Sequence, residues 1–211
     1  MPTQRVPTRR RLIDTARAHF YRDGFRGAGL DAILADVGIS KAGFYKHFAS
    51  KEDLMVGVLE AIDEMLGREF RQMVRDRGGP SAVGQLRALV DVVHEEIMQE
   101  SFHGCIFVGA AMEFPLPHDP AHRVALRHKQ SIEQFVYELA ERAGCGDPQA
   151  LAQELCLIIE GAYVTRSVTN DASTIAIARR VVNQVLDRHL APARAPVPAS
   201  GTEVPLPRAG R

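Results

Sequence analysis

Apolar residues along this chain fall into stretches with helical spacing, and none alternates with the period of two that marks a strand. Leu12, Ile13, Ala16 and Phe20 share one face of a helix that begins near Thr8 and stops at Gly24. Leu30, Ile33, Leu34 and Val37 repeat the spacing, and Gly38 supplies the backbone freedom that ends a helix and turns the chain sharply. Ser40 then serves as an N-cap, with Ile39 and Phe44 placed for a hydrophobic staple, so the next helix is predicted from Lys41 to Phe48. Ser50 caps another, with Asp53 at the capping-box position, which runs through Val58, Ile62, Met65 and Phe70 to a break at Gly78-Gly79-Pro80. At 1.5 Å per residue, its span of about twenty-five residues makes a lever between two halves of the chain.

Beyond that break Leu86, Leu89, Val90, Val93 and Ile97 mark an amphipathic helix within residues 81–100, which also carries His94 and Met98. The stretch from Gly104 to Phe114 is nearly all apolar and holds one carboxylate, Glu113, near its end. Pro115, Pro117 and Pro120 interrupt the chain, and Asp119 followed by proline reads as a cap and a first helical turn. The next helix places His128, Ile132, Phe135, Val136, Leu139 and Ala143 on one face and ends at Gly144. Asp147-Pro148 opens a helix with Leu151, Leu155, Ile158, Ile159, Ala162 and Tyr163 inward, and residues 172–190 form the last, with Ile175, Ala178, Val182, Val185 and Leu186. The predicted fold is all-α, with a three-helix helix-turn-helix domain over residues 1–54 and a second helical domain over 55–190. The first seven residues are expected to fray, and residues 191–211, rich in proline and small side chains, to be disordered.

The helix after Gly38 carries the most telling surface. Phe44 and Phe48 lie four apart and bury one side. The other side presents Ala42 and Lys46, flanked by Gly43, Tyr45 and His47, with Ser40 and Lys41 at its start. Small residues let a backbone approach base edges, and cations and a phenolic hydroxyl suit phosphates, as a helix in the DNA major groove requires. The bland alternative is a helical hairpin whose lysines are merely solvated. Charge distribution weighs against it: residues 1–51 hold ten Lys or Arg against four Asp or Glu, whereas residues 52–211 hold sixteen against twenty-two, so a neutral whole conceals a basic end. Arg9, Arg10 and Arg11 in a first helical turn oppose the helix dipole at about 0.3–1 kcal/mol each, which favours a phosphate-binding reason for them.

A longer pattern runs through Gly24-Phe25, Ile33, Val37-Gly38-Ile39-Ser40-Lys41, Phe44-Tyr45, Phe48 and Ser50-Lys51-Glu52-Asp53-Leu54. In identity and spacing it resembles the DNA-binding domain of the TetR family of bacterial transcription regulators. The resemblance implies a ligand-responsive regulator, a repressor released from a palindromic double-stranded DNA operator by a small-molecule inducer. It implies DNA contacts from Arg9, Arg10, Arg11, Ser40, Lys41, Ala42, Gly43, Tyr45, Lys46, His47 and Lys51. It further implies a homodimer joined through the last two helices, where a charge at Leu155 or Val182 is expected to break the pairing. One departure stands out: where the family has Thr at the start of the second helix, this chain has Gly29, which caps acceptably but offers no hydroxyl to a phosphate.

In such regulators the C-terminal helices enclose the inducer. The apolar candidates are Ile97, Met98, Phe107, Met112, Phe135 and Tyr163, with His94, Glu113, His128 and Arg166 as polar handles. Two rival readings are a dimeric DNA-binding protein without a ligand and an enzyme carrying a helical hairpin. Against the enzyme, the sequence has no phosphate loop, nucleophile elbow or metal motif. His118, His122 and His128 with Glu113 and Asp119 do not share one helical face, so no metal or other cofactor is expected. Cys105, Cys145 and Cys156 lack CxxC spacing and read as reduced core thiols. With no run of eighteen apolar residues and no signal-peptide core, the expected location is the cytoplasm, away from any membrane.

Overall fold

The computed structural model describes residues 6–99, 102 and 104–190; the tail from 191 and most of the frayed start predicted above lie outside the described residues. Among these, nine helices follow one another: α1 (Thr8–Gly27), α2 (Leu30–Val37), α3 (Lys41–Phe44), α4 (Lys51–Gly78), α5 (Ala82–Ile97), α6 (Ile106–Glu113), α7 (Pro120–Arg142), α8 (Pro148–Thr169) and α9 (Thr174–Leu190). No strand occurs among the described residues.

Local chemistry sets most of the starts. The Ser40 hydroxyl accepts from the Gly43 N–H at 3.1 Å and the Ser50 hydroxyl from the Asp53 N–H at 3.1 Å. Asp53 answers by accepting the Ala49 N–H at 2.9 Å, which closes a reciprocal cap one residue outside the usual box. Asp147 caps α8 through the Ala150 N–H at 3.0 Å. Asp119 makes no such bond, so α7 starts on the fixed φ of Pro120 alone. Gly38 ends α2 in the left-handed region at φ 73°, a conformation that a side chain would strain, and this turn sets α3 against α2.

The helix expected to reach Phe48 is shorter. Only Lys41–Phe44 is α-helical, after which the His47 N–H reaches back to the Phe44 carbonyl at 2.8 Å in a tighter turn. Phe48 has to turn inward, where it stacks on Phe44 with ring centres 6.0 Å apart, while Ser50 only two residues later must start α4.

Two cores form, and α4 and α7 belong to both. The first gathers Leu12, Ile33, Phe44, Leu54, Val58 and Leu59 from α1 to α4 with Ile106, Phe107 and Ala110 of α6 and Val124 of α7. The second joins Val74 and the later part of α7 to α5, α8 and α9 through Leu86, Leu89, Leu139, Leu151, Leu155 and Val182. The boundary expected at residue 54 therefore falls inside a continuous core, and α6 packs with the helix-turn-helix. In the last third of α4 the Arg71 guanidinium donates to the Ser131 carbonyl and hydroxyl at 3.1 and 3.0 Å and lies 4.9 Å above the Phe135 ring, which fixes the lever to α7.

Candidate nucleic-acid interface and effector cavity

The helix-turn-helix rests on a tightly closed core, so its outward side chains stand on a rigid base. Ala42, Tyr45, Lys46 and His47 are exposed, with Tyr45 57% open although its ring packs edge-on to Phe44 with ring centres 5.2 Å apart. Ser40 and Gly43 are occupied with each other as cap and capped amide. Lys41 pairs with Asp31 of α2 at 2.9 Å, and Lys51 donates to the Arg26 carbonyl at 3.2 Å. Both pairs are exposed, hence weak enough to open for a phosphate.

The arginines of the first turn of α1 divide. Arg11 donates to the Val37 carbonyl at the end of α2, a structural tie that occupies a group predicted to meet DNA. Arg9 lies over the Phe48 ring at 5.0 Å, and Arg10 pairs with Asp14 at 2.9 Å on the open surface. Buried His19 bridges to Asp36 at 2.8 Å and further braces α1 against α2.

Away from this face, α4, α5, α7 and α8 surround a cavity of about 170 Å³, with the start of α6 and Tyr21 of α1 closing one side. Three of the ten sequence candidates, Phe107, His128 and Tyr163, line it. The other seven lie elsewhere. Ile97 and Phe135 are core residues, Met98 and Met112 are exposed, His94 lies against Arg179 of α9 at 3.3 Å, and Arg166 pairs with Asn170 at the end of α8. Helical periodicity identifies a buried face, but only the packing of neighbours decides whether that face meets a partner or open space.

Glu113 is the most instructive of these displacements. Its carboxylate accepts the Phe25 N–H at 2.9 Å and the Arg26 N–H at 2.8 Å, while the Arg26 guanidinium donates to the Glu113 carbonyl at 2.9 Å. Gly24, at φ 74°, breaks α1 so that these amides face α6, and a Cβ there would stand 3.0 Å from the carboxylate. Glu113 is thus an anion on freed backbone donors, joining the end of α6 to the helix-turn-helix.

Beside His128 and Tyr163, the cavity walls hold polar groups that periodicity did not single out. Lys129 pairs with Glu160, and its ammonium stands 3.7 Å from the Cys105 sulfur. Tyr163 donates its hydroxyl to Glu96. His128 stacks on Phe107 with ring centres 3.7 Å apart and reaches Asp63 of α4 at 2.8 Å. Burial holds the His128 pKa below its ordinary value despite Asp63, and it raises that of Glu96. Burial pulls the Lys129 pKa down, but Cys105 and Glu160 outweigh it and hold the pKa above the usual ammonium range. Burial also pushes the Cys156 thiol up to about 11, so it stays protonated. A sequence signal for Glu160 did exist: it is a lone carboxylate within the apolar run Leu157 to Val164. Among the described residues no group of three or more His, Cys, Asp or Glu is placed to hold a metal. No helix among them is long and apolar enough to cross a membrane.

Comparison with known proteins agrees with this geometry. Residues 12–58 match the family described as bacterial regulatory proteins, tetR family, and residues 82–182 match the tetracyclin repressor-like C-terminal domain. A TetR-family transcriptional regulator of Streptomyces coelicolor superposes with a TM-score of 0.77 at 32% identity, covering 87% of this chain and 96% of that one. The HTH-type transcriptional regulator YjdC of Escherichia coli is 23% identical over 67% of this chain and 73% of its own length. The transcriptional regulator AcuR of Cereibacter sphaeroides is 26% identical over 72% and 73%. These relatives are regulators rather than enzymes, and the chain belongs to the TetR family of DNA-binding transcription regulators.

Proposed function

We propose that the protein is a dimeric repressor which leaves a palindromic operator when a small molecule enters the cavity between α4, α5, α7 and α8. In this reading residues 1–54 are the reading head, and residues 55–190 bind the effector and pair with a second copy. The observation that carries it is the Glu113 bridge. The start of α6 forms part of the cavity wall through Ile106 and Phe107, and the end of the same helix grips the backbone of α1. A ligand that displaces α6 pulls on the reading head through two charge-assisted hydrogen bonds, and Asp63 of α4 feels the same ligand through His128. Two heads must meet half-sites about 34–36 Å apart, so a shift of a few ångströms removes one from its groove. A ligand that favours the released form by about 1–3 kcal/mol weakens operator binding roughly 5- to 150-fold, and the operator weakens the ligand equally.

Lys46, His47, Ala42 and the Tyr45 hydroxyl are the freest groups for the DNA, with Lys41 and Lys51 recruited from their exposed pairs and Arg9 and Arg10 adding nonspecific attraction. The partner copy is expected on α8 and α9. Leu157, Gly161, Val164 and Val168 form one exposed stripe along α8, with Ile177 exposed on α9. Leu155 and Val182 do not belong to this surface, since both are fully buried within the protomer and a charge there would unfold it.

The test uses a duplex selected by the protein from a randomised pool. Glu113→Gln keeps the shape of the bridge but weakens it, so it is expected to alter operator affinity and to reduce the ligand's effect on it. A compound that saturates the cavity without changing operator affinity would refute the switch and leave the family assignment intact. Leu157→Glu is expected to give monomers by light scattering with helicity unchanged; a dimer that persists would place the interface elsewhere.

A further inference from the structure

Resting on the reading of the cavity as an effector site, we infer that its ligand is a cation: a protonated amine carried on an apolar body of roughly one aromatic ring. Size comes first. The cavity volume of about 170 Å³ is close to that of an engineered apolar cavity of roughly 150 Å³ known to admit benzene, so the occupant is small. Much of the wall is aliphatic or aromatic, from Leu66, Phe70, Leu89 and Val93 among others, and it calls for an apolar body.

Charge then decides the head group. Three acidic side chains, Glu96, Glu133 and Glu160, line the cavity against the single ammonium of Lys129 among the described lining residues; burial pushes Glu96 toward its neutral form, and Glu133 and Glu160 alone still outnumber Lys129. His128 adds no charge at neutral pH, because burial lowers its affinity for a proton. Lys129 is already engaged by one oxygen of Glu160. The other oxygen, Oε1, is cut off from solvent and has no hydrogen-bond partner among the described residues. A buried carboxylate oxygen left in that condition is unfavourable, and an ammonium N–H is the donor that relieves it most while offsetting the excess negative charge. Glu96 accepts from the Tyr163 hydroxyl beside the same space and offers a second acceptor within the wall. A ligand carboxylate would meet the opposite situation: it would have to displace Glu160 from Lys129 and leave a half-buried acidic side chain without its cation.

Calorimetric titration of the full chain with three compounds of matched shape, 2-phenylethylamine, 2-phenylethanol and 3-phenylpropanoate, tests this. The amine is expected to bind about tenfold or more tightly than the alcohol, as a charge-assisted hydrogen bond requires, and the carboxylate most weakly. Glu160→Gln should invert that order, since it removes the acceptor charge and leaves Lys129 without its partner. If that variant does not fold, Glu96→Gln, which keeps an acceptor for Tyr163, should lower the preference for the amine over the alcohol. Equal or tighter binding of the carboxylate by the unmodified chain would overturn the inference. Operator release by the same compounds separates the two readings: release by the carboxylate or the alcohol alone would leave the effector site standing and sink the cation. Failure of all three to bind would remove both.

Discussion

The start and the middle of α7 face opposite physical problems. Near its start Val124 packs into the core shared with the reading head, where Leu12, Ile33, Phe44 and Leu54 are fully buried. One turn and more further on, His128, Lys129, Ile132 and Glu133 border open space and buried charge. A head that must hold a short helix in register with base edges needs closed packing, because a filled core transmits position without slack. A region that must admit a ligand gives up part of that packing and keeps buried groups whose best partner comes from outside. The same helix serves both demands, and α6 together with Glu113 connects them.

This contrast can be broken most severely in the head. Phe44→Ala removes a fully buried ring that holds Tyr45 and Phe48, and is expected to destabilise the protein by about 3–5 kcal/mol. Ile132→Ala beside the cavity should cost no more than about 2 kcal/mol, the low end for such truncations, because space already lies next to it. Urea unfolding of both variants measures the difference, and equal losses would deny that the two regions are packed differently.

A smaller effect is expected on the surface of the head. Lys46→Ala should weaken binding to all duplexes alike and lower the salt slope by about one unit, whereas Tyr45→Phe, which removes only a hydroxyl, should cost less. Binding isotherms at several salt concentrations read both. Unchanged affinity in the two variants together would move the interface away from this helix.

The smallest effect lies in the cavity wall. His128 has a lower pKa folded than its unfolded value of about 6.5, so its contribution to stability is complete above that pH. Between that value and the folded pKa the unfolded chain binds the proton and the folded chain does not. Stability therefore falls as pH drops through this window, with a slope of at most about 1.4 kcal/mol per pH unit. His128→Gln should flatten the curve just below pH 6.5; an unchanged slope in thermal unfolding would assign it to other groups.

Much of the head could be read from the chain alone because its determinants are local. Ser40 and Ser50 cap amides three residues away, Gly38 turns on its own φ, and Leu12, Ile13, Ala16 and Phe20 need only a helix to share a face. The lever over α4 and the amphipathic helices that follow were visible for the same reason. The exact length of α3 was not, since it depends on Phe48 turning inward just before the Ser50 cap.

The cavity and its coupling were decided by contacts between residues far apart in the chain. Glu113 meets Phe25 across eighty-eight positions, and Glu96 meets Tyr163 across sixty-seven. Lys129 and Glu160 come together only because α7 and α8 pack side by side. Helical period assigned Glu113 to an apolar helix and suggested a ligand handle, while the left-handed Gly24 on another helix supplied the amides that claim it. Sequence by itself therefore determined the order of the helices, most of the caps it predicted, the basic face and the family. Which buried polar groups pair with each other and which face open space was left to the tertiary structure, because hydrogen-bond and ion-pair energies depend on distances that only packing sets.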